Sequence, residues 1–172
     1  LDLVERGAER SRSLSAVVNH LSERIAEREL STVRESFAFA EQEVRVTRER
    51  RGPGPGNVVF SAFCFENVTE VVSAIGAKDK SAEAVGKELI VAARAYLAHD
   101  APVGEHLADQ LIPWLAIAGH GRFRTAGLSS HARTQLDVVR LFLGDVLRVD
   151  ETSRGVVVSA NAGGFRDPTP VV

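Results

Sequence analysis

The chain has 172 residues, 44% hydrophobic and 26% charged, which is enough apolar material for a real core in one or two domains. Lys and Arg number 21 against 23 Asp and Glu, a net charge of −2, so bulk charge gives no argument for nucleic-acid binding and any such binding is local. A single cysteine, Cys64, excludes an internal disulfide and a Cys-based zinc cluster, and no apolar run approaches the ~20 residues of a membrane span.

The start, Leu1-Asp2-Leu3-Val4-Glu5-Arg6, lacks the apolar centre of a signal peptide, and a cytoplasmic location is expected. Methionine is absent, including at position 1, and the opening resembles the middle of a strand, so the chain is expected to be a fragment of a longer protein. Leu1 and Leu3, then Leu14, Ala16, Val17 and Val18, predict two strand segments separated by a polar run from Glu5 to Ser13. From about Asn19 to Phe37, Leu21, Ile25, Leu30, Val33 and Phe37 recur between charged residues as the buried stripe of an amphipathic helix. Val44 and Val46 alternate with Arg45 and Thr47 as in a half-exposed strand, and the Gly- and Pro-rich segment 48–56 is predicted to be a loop.

Val58 to Phe65 and Val68 to Ile75 predict two paired strands, and Ser81 opens a helix that keeps its apolar spacing to about His99. After the break at Ala101-Pro102-Val103-Gly104, Glu105 to Ala118 reads as a helix with Leu107, Leu111, Trp114, Leu115 and Ala118 on its buried side and a kink or restart at Pro113. A short strand around Phe123 follows, then a helix from about His131 to Leu143, capped by Ser129 or Ser130, with Leu136, Val138, Val139, Leu141 and Phe142 as its stripe. Val146 to Val149 and Val156 to Ser159 predict two last strands, and residues 161–172 a flexible tail.

Within the helix from Glu105, the residues His106, Asp109, Gln110 and Pro113 share one polar stripe. That stripe is either a solvated face or a carboxylate for a hard cation such as Mg²⁺, with an amide and an imidazole beside it. Arg122, Arg124 and Arg133, with His120 and His131, lie in a window free of acidic residues, as phosphate clamps or as ordinary solvent-facing groups. His131 falls in the first turn of its helix, where the dipole disfavours imidazolium and free amide hydrogens welcome a phosphoryl group. Cys64, between Phe63 and Phe65, reads as a small core hydrophobe, and His20, His99 and His120 as surface or loop residues. No Walker A sequence is present, and Gly119-His120-Gly121 lacks the spacing of a dinucleotide loop.

Three segments in order, Val103-Gly104-Glu105-His106-Leu107-Ala108-Asp109-Gln110-Leu111, Ala116-Ile117-Ala118-Gly119 and Ser130-His131-Ala132-Arg133-Thr134, resemble the C-terminal signature of the RNA 3′-terminal phosphate cyclases. Leu3-Val4-Glu5-Arg6-Gly7, Ala26-Glu27-Arg28-Glu29, Gly54-Pro55-Gly56-Asn57, Val68-Thr69-Glu70 and Ser81-Ala82-Glu83 resemble the middle section of the same family. The resemblance implies an α+β fold: a thioredoxin-like insert domain with its junction over residues 1–100, then part of a repeat of a four-stranded sheet with two helices over 101–160.

It also implies ATP-dependent conversion of an RNA 3′-phosphate to a 2′,3′-cyclic phosphate through a histidine adenylate and an RNA adenylate. His131 then matches the nucleophile, Asp109 the carboxylate that holds Mg²⁺ or Mn²⁺ at the ATP phosphates, Gln110 its neighbour, and His106 the ring packed near the adenine. The implied partners are ATP, an RNA with a 3′-phosphate end and the N-terminal repeats of the parent protein, with no membrane. Gln135 stands where the family usually has Asn, and His120 and Arg122 interrupt a turn that is usually richer in glycine. The rivals are a cyclase-like protein of RNA-particle assembly that has lost catalysis, against which His131 argues, and a small α/β interaction module.

Overall fold

The computed structural model describes residues 1–161, so the tail expected over 161–172 lies outside the described residues beyond Asn161. Among the described residues, eight strands and four α-helices form an α+β architecture with two mixed four-stranded sheets. The chain divides into two units, one built from Leu1–Gly7, Glu66–Val68 and the chain from His99, the other from Ala8–Phe65 and Thr69–Ala98.

The second of these units has the chain order β2 (Glu9–Asn19), α1 (Glu23–Arg34), β3 (Val44–Glu49), β4 (Gly56–Phe65), β5 (Thr69–Ile75) and α2 (Ala82–Leu97). Its sheet order is β3-β2-β4-β5; β2 and β3 are parallel, and β4 runs antiparallel to both β2 and β5. That is the strand and helix order of a thioredoxin-like domain. Alternation selects one face of the sheet for burial. Leu14, Ala16 and Val18 of β2 and Val59 and Phe63 of β4 meet Ala26, Leu30 and Val33 of α1 and Val85, Leu89 and Ala93 of α2 in one core. The Ser81 hydroxyl accepts from the Ala84 N–H at 3.1 Å, the cap expected at the start of α2.

The other unit has β1 (Asp2–Leu3), α3 (Glu105–Ala118), β6 (Arg122–Thr125), α4 (Ser130–Leu143), β7 (Leu147–Thr152) and β8 (Gly155–Ala160), in the sheet order β1-β6-β8-β7. The β1 strand is parallel to β6, and β8 is antiparallel to both of its neighbours. Phe123, Val156 and Val158 pack against Ala108, Ile112 and Leu115 of α3 and Ala132 of α4, a four-stranded sheet with two helices.

Several boundaries differ from the sequence expectation. The β2 strand begins at Glu9 and takes in half of the polar run, because its backbone pairs with Cys64 and Phe65 while Glu9 and Arg10 stay exposed and Arg12 is half-buried. The α1 helix is shorter than expected, and Phe37 lies beyond its end, where its ring meets Phe39 and Phe63. Pairing with β2 carries β3 to Glu49, so the loop is reduced to 50–55. No restart occurs at Pro113, which sits inside one continuous helix.

Two helix stripes are corrected. Trp114 is 69% exposed and Ala118 is exposed, while Ala108, Ile112, Leu115 and Ala116 are buried. The α3 helix is apolar on nearly every side from Leu107 to Ala118, so spacing alone does not choose its inner face. On α4, Val138, Leu141 and Phe142 are exposed, and Ala132 is the buried residue, with Leu136 and Val139 partly buried beside it. Cys64 is half-buried on the sheet face opposite Phe63.

Candidate active site

The site residues expected from the sequence all lie on α3 and α4, the two helices packed on the same sheet. Ala108 and Ile112 turn inward on α3, which leaves His106 and Gln110 exposed on the outer side and Asp109 half-buried at the flank toward α4. Pro113 has no N–H, so the backbone carbonyl of Asp109, four residues earlier, lacks its helical donor. Asp109 therefore offers both a carboxylate and a backbone carbonyl without its usual helical donor from one position.

Ser129 is the N-cap of α4, which resolves the alternative with Ser130. Its hydroxyl oxygen accepts from the Ala132 N–H at 2.9 Å, and its O–H donates to Asp109 Oδ1 at 2.9 Å. One hydroxyl thus joins the Asp109 carboxylate to the helix turn that carries His131. His131 is exposed as the second residue of α4, next to amide hydrogens that the first turn of any helix leaves without intrahelical acceptors.

The arginine window separates into different roles. Arg122 pairs with Asp2 at 2.9 Å, fastening β6 to β1. Arg124 is 4% exposed; it donates to the Val4 carbonyl at 2.8 Å, to Asp100 Oδ1 at 2.8 Å and to the Arg154 carbonyl at 3.0 Å. Arg154 in turn pairs with Glu5 at 2.8 Å and with Asp100, and the Arg124 and Arg154 guanidinium groups hold the Asp100 carboxyl well below the usual carboxylate range. These arginines are structural ties of β1, β6 and β8. Arg133, in the first turns of α4, is exposed. His99, expected at the surface or in a loop, lies in the loop after α2 and is half-buried; burial pushes its imidazole pKa down, and its carbonyl accepts from the Arg6 guanidinium.

A family model described as "RNA 3'-terminal phosphate cyclase (RTC), insert domain" matches residues 4–98, more than half of the chain. The chain belongs to the RNA 3′-terminal phosphate cyclase family. Among its curated relatives it is similar to a protein named "RNA 3'-terminal phosphate cyclase" from Salmonella agona (strain SL483), 41% identical over 158 residues, which cover 92% of this chain and 45% of the relative. A protein of the same name from Koribacter versatilis (strain Ellin345) is 37% identical over 151 residues, 88% of this chain and 42% of the relative. The chain spans about half the length of the curated relatives it matches. The match to the family model ends at residue 98, and the Asp109–Ser129–His131 arrangement lies in the segment that follows.

Among the described residues no helix is long and apolar enough to cross a membrane. No group of three or more His, Cys, Asp or Glu among them is placed to hold a metal by protein ligands alone. The link from Ser129 to Asp109 is the feature that sequence reasoning missed. Its only trace in the sequence is the serine three residues before Ala132, which signals a cap and says nothing about the second partner of the hydroxyl.

Proposed function

We propose that this chain supplies the nucleotidyl-transfer site of an ATP-dependent RNA 3′-terminal phosphate cyclase, with His131 as the nucleophile. The observation that carries the reading is the Ser129 hydroxyl, which joins the Asp109 carboxylate to the helix start bearing His131. The assignment of residues 1–100 to the junction and insert and of 101–160 to the last catalytic repeat is part of the same proposal.

A ring nitrogen of His131 attacks the α-phosphorus of ATP; the N–P bond forms as the bond to pyrophosphate breaks, and pyrophosphate leaves. The exposed amide hydrogens at the start of α4 stabilise charge on the phosphoryl oxygens. AMP then passes from the histidine to a 3′-phosphate oxygen of the RNA, which frees the imidazole. Attack of the neighbouring 2′-hydroxyl on the 3′-phosphorus closes the cyclic ester and expels AMP, the hydroxyl proton leaving to solvent.

The donor set at Asp109 fits a hard cation shared with substrate phosphates, because Oδ2 is not engaged by Ser129 and one carboxylate is a common protein share of a Mg²⁺ site. A Mg²⁺ or Mn²⁺ ion held there supplies charge neutralisation at the ATP phosphates. Gln110 and His106, one helical turn apart on the exposed side of α3, are assigned to the nucleotide, the His106 ring beside the adenine and the Gln110 amide beside Asp109.

The test uses ATP labelled in the α-phosphate and the full-length protein. The label is expected on the protein in an acid-labile, alkali-stable bond, as for a phosphoramidate, and His131→Ala is expected to abolish both the label and cyclisation of the RNA end. Normal labelling of the alanine variant refutes the assignment.

A further inference from the structure

We propose that the open sheet face of the thioredoxin-like unit is a platform for single-stranded RNA, an inference that rests on the reading of an RNA substrate above. Both helices of that unit cover one side of its sheet. The other side presents Val17 of β2, Val58, Phe60 and Ala62 of β4, and Val71 and Ile75 of β5, and Val71 and Ile75 are 55% and 69% exposed. Phe60 is the one aromatic residue in that row. Register places it between Ser15 and Ser73, with Arg45 paired to Ser15 one strand further out. Phe60 is half-buried, and its cross-strand neighbours on both sides, Ser15 and Ser73, are small.

The charge at the edge of this face selects the occupant. Residues 44–51 hold four arginines and one glutamate, in a chain whose net charge is −2. Arg45, Arg50 and Arg51 are exposed, and Arg48 is engaged by Glu23 at 3.3 Å. The loop that follows is tied back over the end of the open face. The Asn19 amide, on the open side of β2, donates to the Gly54 carbonyl, and His20 Nε2 lies 3.1 Å from the Gly52 carbonyl. Glu49 accepts from the N–H groups of Arg50 and Arg51 at 2.7 and 2.9 Å, which turns the chain at the strand end. A ring that stacks a base, flanked by cations that follow a phosphate backbone, is the chemistry of single-strand recognition. An apolar protein partner would find no use for the arginine edge.

The experiment is fluorescence anisotropy of the full chain with a 5′-labelled oligouridylate of about 12 nucleotides. The probe ends in a 3′-hydroxyl, and no ATP is added, so neither His131 nor a 3′-phosphate takes part. Failure here leaves adenylylation of His131 untouched, and failure of adenylylation leaves this test intact. Phe60→Leu keeps an apolar side chain and removes the stacking ring; it is expected to weaken binding about tenfold, while Phe60→Tyr retains it. Replacing Arg45, Arg50 and Arg51 together by alanine is expected to reduce the slope of log K against log salt by about 2. Unchanged binding in Phe60→Leu, an unchanged salt slope in the arginine variant, or tighter binding of a duplex than of the single strand overturns the proposal.

Discussion

The Ser129 hydroxyl serves two partners, and its removal separates stability from chemistry. Ser129→Ala deletes the cap of α4 and is expected to cost about 1 kcal/mol in urea unfolding. It also releases Asp109 Oδ1, so adenylylation should fall by more than the lost stability accounts for. Asp109→Asn keeps an acceptor for Ser129 but removes the charge. Its stability should stay within about 0.5 kcal/mol of the parent, while Mg²⁺-dependent adenylylation falls on the order of a hundredfold; an unchanged metal dependence would refute the role of the carboxylate. A second carboxyl, far less visible in the sequence, is Glu29. It is fully buried on α1; Asn57 donates to one of its oxygens, and the other has no partner among the described residues. Burial pushes its pKa from 4.5 up to about 7, against the opposing effects of Asn57 and Lys80. The folded state thus holds the proton more tightly than the unfolded chain. That contribution is complete below about pH 4.5 and is lost as the pH rises through about 7, on the order of 3 kcal/mol. Thermal unfolding at pH 5 and pH 8 should show the loss in the parent and its absence in Glu29→Gln. Within the sequence Glu29 reads as one more charge on the solvated face of an amphipathic helix, because burial of a single position depends on how closely a second helix approaches.

That approach is set at the scale of the elements. Gly86 lies where α2 meets α1, and a Cβ there would stand 2.9 Å from the Thr32 Cβ and 3.1 Å from the Glu29 carbonyl oxygen. Gly86→Val should therefore destabilise the thioredoxin-like unit by about 1–3 kcal/mol, read as a lower urea midpoint. A midpoint at or above that of the parent would show that the helices are not in such close contact. The elements themselves were largely legible. A dense β-branched and aromatic run marked β4 and β5, Ser81 and Ser129 marked helix starts, and Gly119 and Gly144, both at positive φ, mark helix ends. Where two patterns competed, the sequence was less informative. Trp114 and Ile112 both sit at plausible core positions of α3, and only the sheet beneath decides that Ile112 is buried and Trp114 exposed. Candidate site residues were legible as words shared with a family, whereas the Ser129 bridge depends on the approach of two helices that no local pattern encodes.

At the scale of the whole molecule, β1 pairs with β6 across about 120 residues, with the thioredoxin-like unit inserted between them. Local reading places Leu1 and Leu3 in a strand without revealing its partner. The two units have separate apolar cores, Leu89 being central to one and Ile112 to the other. Leu89→Ala and Ile112→Ala should each cost about 2–5 kcal/mol, and hydrogen exchange should show each loss confined to the amides of its own unit. Loss of protection spread evenly over both would show a single cooperative core. The central claim is that the α4 start carries a nucleophilic histidine, and mapping the bound nucleotide tests it most directly. After incubation of the full-length protein with ATP and Mg²⁺, peptide mass spectrometry should find one AMP on the peptide containing His131, and none in His131→Ala. AMP on a lysine, or on the peptide of the alanine variant, would contradict the account.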